Sequence, residues 1–308
     1  MCQDYRMEAI DLLLGRRSAK TLAEPGPDDE ALALLLECAA RAPDHGRLRP
    51  WRFIVIRDAA RARFGDLLAE QLRRVRPASS PEALDRERLK AFRAPLSASR
   101  SRASMGADCT RFAAHLCQYC PMQAIDLLLQ RRSANTLTDP APDEGALELL
   151  LASAARAPDH GRLRPWRFVV IRGAARARFG AMLAAQLQRV RPLSTPETLE
   201  RERHKAFRAP LIIAVGAVKD AHASVPMIEQ VLCAGAAAQN ILLAAYALGF
   251  NGVWKTGAAA YDESIKRELG FEPADALVGY LYIGTEVDAP AESLAPDHWR
   301  ERVSYLAE

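Results

Sequence analysis

Arg131, Arg132 and Ser133 follow one another at the end of a short apolar segment. Two guanidiniums and a hydroxyl at one corner supply the bidentate and single donors that suit a phosphate monoester. The same residues also suit a solvated helix C-terminus, where arginines complement the negative end of the dipole. A second cluster, Arg156-Ala157-Pro158-Asp159-His160, ends the next helical segment, because the residue before a proline is pushed out of the helical region. His160 there is either a ligand contact or a satisfied surface histidine. The third, Gly252-Val253-Trp254-Lys255-Thr256-Gly257, ends a strand in an aromatic, a cation and a hydroxyl between glycines. Backbone freed of side chains can approach a flat ring or an anion closely, while Trp254 also fits a place in the core.

Other chemistries lack their residues. The chain has neither a G-x-G-x-x-G turn nor a G-x-x-x-x-G-K-[ST] loop, and neither H-E-x-x-H nor G-x-S-x-G. Cys117 and Cys120 have the spacing of half a metal site, with Cys109 and His115 nearby, but one such pair is a weak signal, so no metal is assigned.

The elements that must position these clusters can be read from periodicity. Ile125, Leu128 and Leu129 fall at helical spacing, which predicts a helix over 122–131. Further helices are expected over 143–155, 174–190, 196–206, 227–248 and 262–269, with strands over 166–172, 211–218, 251–255 and 277–284. Helices and strands mix without strict βαβ alternation, so the expected class is α+β.

The chain also contains a repeat. Residues 7–96 align with 122–211 at a constant offset of 115 without a gap, identical at 68 of 90 positions. After residue 96 the likeness stops: a Ser/Arg-rich tract replaces the strand-like 212–218. The expected organisation is a truncated duplicate over 1–96, a linker over 97–120, and a complete domain over 121–308. The duplicate lacks most of the strands and the long helix, so on its own it is expected to be loosely structured or docked on the complete domain.

The net charge of +4 on 308 residues is too small to argue for nucleic acid. The surplus sits in residues 1–120, with 21 Lys/Arg against 16 Asp/Glu, and in its Arg-rich segment 57–111, with 13 against 7, the charges alternate in sign without interleaved aromatics. The apolar stretch 231–249 is interrupted by Gln239 and Asn240 and reads as a buried helix rather than a membrane span. Acidic residues at 4, 8 and 11 interrupt any signal-like run, and the sparse cysteines fit a reducing cytoplasm.

Taken together and in this order, Arg131-Arg132-Ser133, Arg156 to His160, Phe207-Arg208-Ala209-Pro210 before a buried strand, and Gly249-Phe250-Asn251-Gly252 through Gly257 resemble the FMN-dependent nitroreductase family, in its small YdjA-like branch. The likeness spans residues 122–290. It implies a mostly antiparallel sheet flanked by helices, with a long central helix at the interface of a homodimer. It implies FMN as cofactor, NADH or NADPH as donor, and nitroaromatics, quinones or similar small molecules as acceptors. By the same likeness Arg131, Arg132 and Ser133 hold the FMN phosphate and ribityl end. Arg156 and His160 reach the flavin of the neighbouring subunit, and Trp254, Lys255 and Thr256 complete the site. Ala244, Ala245, Tyr246, Ala247, Leu248 and Gly249 border the nicotinamide nucleotide, and Arg16, Arg17, Ser18, Arg41 and His45 are the duplicate's counterparts.

Three positions depart from the family pattern: Arg164 before the Pro-Trp pair, Lys255 and Thr256 in place of Arg and Ser, and Asn135 in place of a basic residue. The Lys255 change keeps the charge and loses the fork of donors. The competing function is a nitroreductase-fold binding or regulatory protein without flavin.

Overall fold

The computed structural model describes residues 7–19, 22–44, 48–93, 122–134, 136–220, 224–287 and 299–306. The elements run in the order α1 (Ala9–Gly15), α2 (Asp29–Ala40), β1 (Phe53–Val55), α3 (Ala60–Val75), α4 (Pro81–Arg88), α5 (Ala124–Gln130), β2 (Leu137–Thr138), α6 (Glu144–Ala154), β3 (Trp166–Arg172), α7 (Ala175–Val190), α8 (Pro196–His204), β4 (Leu211–Ala217), α9 (Met227–Ala247), β5 (Asn251–Lys255), α10 (Glu263–Glu268), β6 (Ala276–Glu286) and β7 (Val303–Tyr305). They form two compact units, one of Met1–Arg17 with Met105–Leu294, the other of Ser18–Ser104 with Ala295–Glu308. These units do not coincide with the repeat: the first helix of the duplicate belongs to the unit built on the complete copy.

In that larger unit an antiparallel sheet has the order β2-β6-β4-β3, and β5 pairs with β6 off that path. Strand β4 is central and buries all seven residues, which explains its unbroken apolar run. Its alternate side chains serve two cores. Leu211, Ile213, Val215 and Ala217 face the layer of α1, α5, α6 and α9, while Ile212 and Ala214 join Phe179, Met182, Tyr280 and Tyr282 on the other side. The architecture is α+β, as the mixed pattern of elements predicts. Two strands escape that pattern, β2 and β7, being two and three residues long.

Helix α9 is long and apolar enough to cross a membrane by length and composition. Here it lies in the core. Ala234, Ala237, Ala238, Ala244 and Ala245 are buried, and these small residues let its backbone approach α6 and the sheet closely. Two of its polar side chains are tied to backbone: Asn240 donates to the Ser153 carbonyl at 3.0 Å, and Gln230 to that of Val225 at 3.0 Å. Helices α6, α8 and α10 begin where the sequence offers a cap: Asp143, Thr195 and Asp262 each accept a hydrogen bond from the backbone N–H three residues on.

The smaller unit holds α2, α3, α4 and β1, with β7 pairing in parallel to β1. Leu32, Leu36, Ala40, Val55 and Trp299 form its core. In the duplicate's unit β1 is paired on one side: residues 303–305 supply a strand that the repeat pattern gives no reason to expect. Local structure otherwise follows the repeat. Both copies of the sixteen-residue helix pass the end of the next helix at a glycine, Gly65 and Gly180, where an added Cβ would lie 2.8 and 2.6 Å from a backbone oxygen.

Candidate functional site

Helix α5 ends at Gln130, and the three residues that follow it diverge. Arg131 turns inward and is 5% exposed. Arg132 makes a bidentate ion pair with Glu286 at the end of β6, at 2.6 Å for both bonds. Ser133 is exposed and its backbone forms a parallel bridge with Gly252, while the Ala134 N–H donates to the Gly252 carbonyl at 3.2 Å. The expectation of two guanidiniums and a hydroxyl at one corner is thus corrected, because successive residues in an extended segment point to different sides.

Glu286 is the residue that sequence reasoning missed. It also accepts from Asn251 Nδ2 at 2.8 Å, and Asn251 Oδ1 accepts from the Gly252 N–H at 2.7 Å. Burial alone would raise the Glu286 pKa, but the hydrogen bonds from Arg132 and Asn251, with the guanidinium's charge, hold it below the ordinary carboxylate value. Arg132 is raised in turn, chiefly by its hydrogen bond to Glu286. This network ties the segment after α5 to the start of β5. No local pattern signals it, since 154 residues separate the pair.

Strand β5 then carries the chain to Trp254, Lys255 and Thr256. Trp254 packs against the α9 side of the core and its indole N–H donates to the Val278 carbonyl at 3.2 Å. Gly279 makes its seat: φ is +153° there, and an added Cβ would stand 2.3 Å from Trp254 Nε1. Lys255 is exposed and Thr256 half-buried. From Gly252 to Thr256 is about 13 Å along an extended strand. The segment of Ser133 and the Lys255 end therefore lie at two ends of one strand, suited to an elongated ligand.

The loop after α6 is held in unusual backbone geometry. Gly161, Arg162 and Arg164 have φ of +74°, +57° and +51°, a region that costs energy for residues with side chains. The Asp159 carboxylate organises it by accepting from the N–H groups of Leu163 at 3.2 Å and Arg164 at 2.8 Å. The duplicate repeats the device, Asp44 accepting from Arg49, whose φ is +48°. His160 Nδ1 lies 2.5 Å from Glu229 Oε2 at the start of α9, both side chains well exposed. Arg156 donates to the Arg16 carbonyl at 3.1 Å, and its own carbonyl accepts from Arg16 Nε at 2.7 Å.

Segment 244–249 is the end of α9. Ala244, Ala245, Ala247 and Leu248 are buried in the core, so only Tyr246 and Gly249 reach solvent. Gly249, with φ of +80°, ends the helix, and the Phe250 N–H returns to the Ala245 carbonyl at 2.9 Å. Of the duplicate's counterparts, Arg16 contacts Arg156 as above, Arg17 and Ser18 are exposed, and Arg41 lies 4.0 Å from Glu37. His45, Asn135, Cys109, His115, Cys117 and Cys120 lie outside the described residues.

The model of the Nitroreductase family matches residues 13–113 and 128–285, one segment in each copy. The "Putative NAD(P)H nitroreductase YdjA" of Escherichia coli K12 is 38% identical over 177 residues, covering 57% of this chain and 96% of that protein. A "Putative NAD(P)H nitroreductase" of Haemophilus influenzae is 34% identical over 186 residues, 60% of this chain and 100% of the relative. A crystal structure of a nitroreductase-like family protein from Bacillus cereus shares the fold, with TM-score 0.50 and 24% identity over 67% of this chain and 98% of that one. An α+β sheet whose strand β5 joins two polar ends is thus the frame of a known class, and this chain belongs to the nitroreductase family. Within it, the similarity runs to the YdjA-like branch.

Proposed function

We propose that the chain is an FMN-dependent oxidoreductase that takes hydride from NADH or NADPH and passes electrons to nitroaromatics, quinones or similar small acceptors. The observation that carries this reading is the strand β5, bridged at its start by the backbone of Ser133, two residues beyond the buried Arg131, and ending in Lys255 and Thr256. That donor set fits an elongated ligand with one anionic end. The names of the relatives YdjA and the Haemophilus influenzae protein support nicotinamide nucleotide as donor.

In this reading Arg131, Ser133 and the backbone near Gly252 hold the phosphate and ribityl end of FMN, and Trp254, Lys255 and Thr256 border the ring. Bound flavin supplies the hydride and electron chemistry. The protein's own work is to bind and orient. Lys255 would bring a cation to the ring's edge, where it would favour negative charge, and Gly279 and Val278 lock the Trp254 indole. Arg132 serves by fixing the segment through Glu286 rather than by touching the phosphate. Tyr246 and Gly249 are the positions of segment 244–249 left open to a nicotinamide nucleotide.

A second copy of the fold brings Arg156 and His160 to each flavin. That copy is another chain, as in a homodimer. The location belonging to this reading is the cytoplasm, and nucleic acid and membrane are not among its partners. Titration of the protein with FMN, followed by quenching of flavin fluorescence, tests the site. Lys255→Ala removes an exposed cation and should weaken binding about tenfold. Unchanged affinity removes Lys255 from the site. The commitment of Arg132 to Glu286 favours the second reading, a binding protein without flavin, if no FMN is taken up at all.

A further inference from the structure

The hydrogen bonds at the start of α1 and α5 are images of one another. The Ala9 N–H donates to the Met122 carbonyl and the Ala124 N–H to the Met7 carbonyl, each at 2.8 Å. Residues 9 and 124, and 7 and 122, are equivalent at the repeat offset of 115. Between them Glu8 and Gln123, also equivalent, form an antiparallel bridge, with Gln123 Nε2 donating to Glu8 Oε1 at 3.1 Å. Exchange of the two copies reproduces the contact, which is the mark of an isologous interface about a two-fold axis.

The two helices share the sequence Ala-Ile-Asp-Leu-Leu-Leu yet bury different faces. In α5 the most buried leucine is Leu127, at 0% exposure, whereas in α1 it is Leu13 that is buried and Leu12, the equivalent of Leu127, is not. Identical residues with different buried faces sit in different environments. Ile10 and Leu13 enter the core cluster that contains Ala234 and Ala237 of α9 and Leu150 of α6. A seven-residue helix is too short to hold itself in water, so its order depends on that seat. Arg16, just beyond α1, donates through Nε and Nη2 to the carbonyl of Arg156, where α6 has run out of helical N–H partners.

We propose that α1 is an intramolecular partner helix: on the complete copy it fills the seat that the same helix of a second chain would take across a two-fold axis, and it brings Arg16 to Arg156. The chain thus supplies part of a two-copy interface to itself, and this seat is closed to another chain. The inference does not depend on bound flavin.

Hydrogen exchange on the unaltered full chain tests it. Amides in 12–16 should be protected to the same extent at all protein concentrations over about a hundredfold range, because an intrachain contact carries no concentration term. Protection that is absent, or that grows with concentration, overturns the proposal. Arg16→Ala should speed exchange in 12–16 about five- to tenfold while leaving 147–154 unchanged. A covalent trap gives an independent readout. The double variant Glu8→Cys with Gln123→Cys should, on oxidation, yield a link between residues 8 and 123 in a species of single-chain mass, missing from either single variant. A link formed only between chains, or none between these residues, contradicts it.

Discussion

At the scale of residues, the clusters with chemical promise were legible and their commitments were not. Arg131, Arg132 and Ser133 announce themselves as consecutive donors, but which of them is already engaged depends on Glu286, far away in sequence. Removing that carboxylate by Glu286→Gln leaves a half-buried guanidinium without its counter-charge, and should cost about 1–3 kcal/mol in denaturant unfolding. The pH dependence follows from the lowered carboxyl. Its stabilising contribution is fully present above the ordinary glutamate value of about 4.3 and is lost as pH falls through the lower folded-state value. The variant should therefore show a shallower acid loss of stability than the parent between about pH 5 and 2, and equal slopes would remove Glu286 from that role. Asp159 was invisible for a different reason. The sequence shows it only as part of a motif, whereas its carboxylate acts on backbone N–H groups of a loop whose φ values no sequence pattern prints.

At the scale of elements, the helices and the strands β3 to β6 follow from apolar periodicity, proline and capping residues, and the described boundaries fall within about two residues of that reading. Strand length is where local sequence fails. Residues 51–57 and 166–172 differ only at Ile54 and Val169, yet the first forms a three-residue strand and the second a seven-residue one. The difference lies in the partner: β3 runs its whole length against β4, while β1 meets only the three residues of β7. Amides of Phe53–Val55 should accordingly exchange at least about tenfold faster than those of residues 168–170, and equal rates would contradict the pairing. Helix α9 sets a tighter condition. Ala238 is fully buried against its neighbours, so Ala238→Leu overpacks the core and should lower stability by about 1–3 kcal/mol, read from the thermal or denaturant midpoint.

At the scale of the whole molecule, the repeat was plain from 68 identities in 90 positions, and the family likeness from motifs in the right order. What sequence could not assign was the membership of two short segments. Residues 7–17 join the unit of the complete copy, and 303–305 join the duplicate's unit, because each closes a surface that its own neighbours in sequence leave open. The central claim is that this frame carries a flavin along β5 and passes electrons through it. The visible spectrum of the full chain, equilibrated with FMN, freed of excess and then given NADPH or NADH without oxygen, tests that claim most directly. The account predicts flavin bands that stay with the protein and bleach on addition of the nucleotide, and a flat spectrum after equilibration would contradict it.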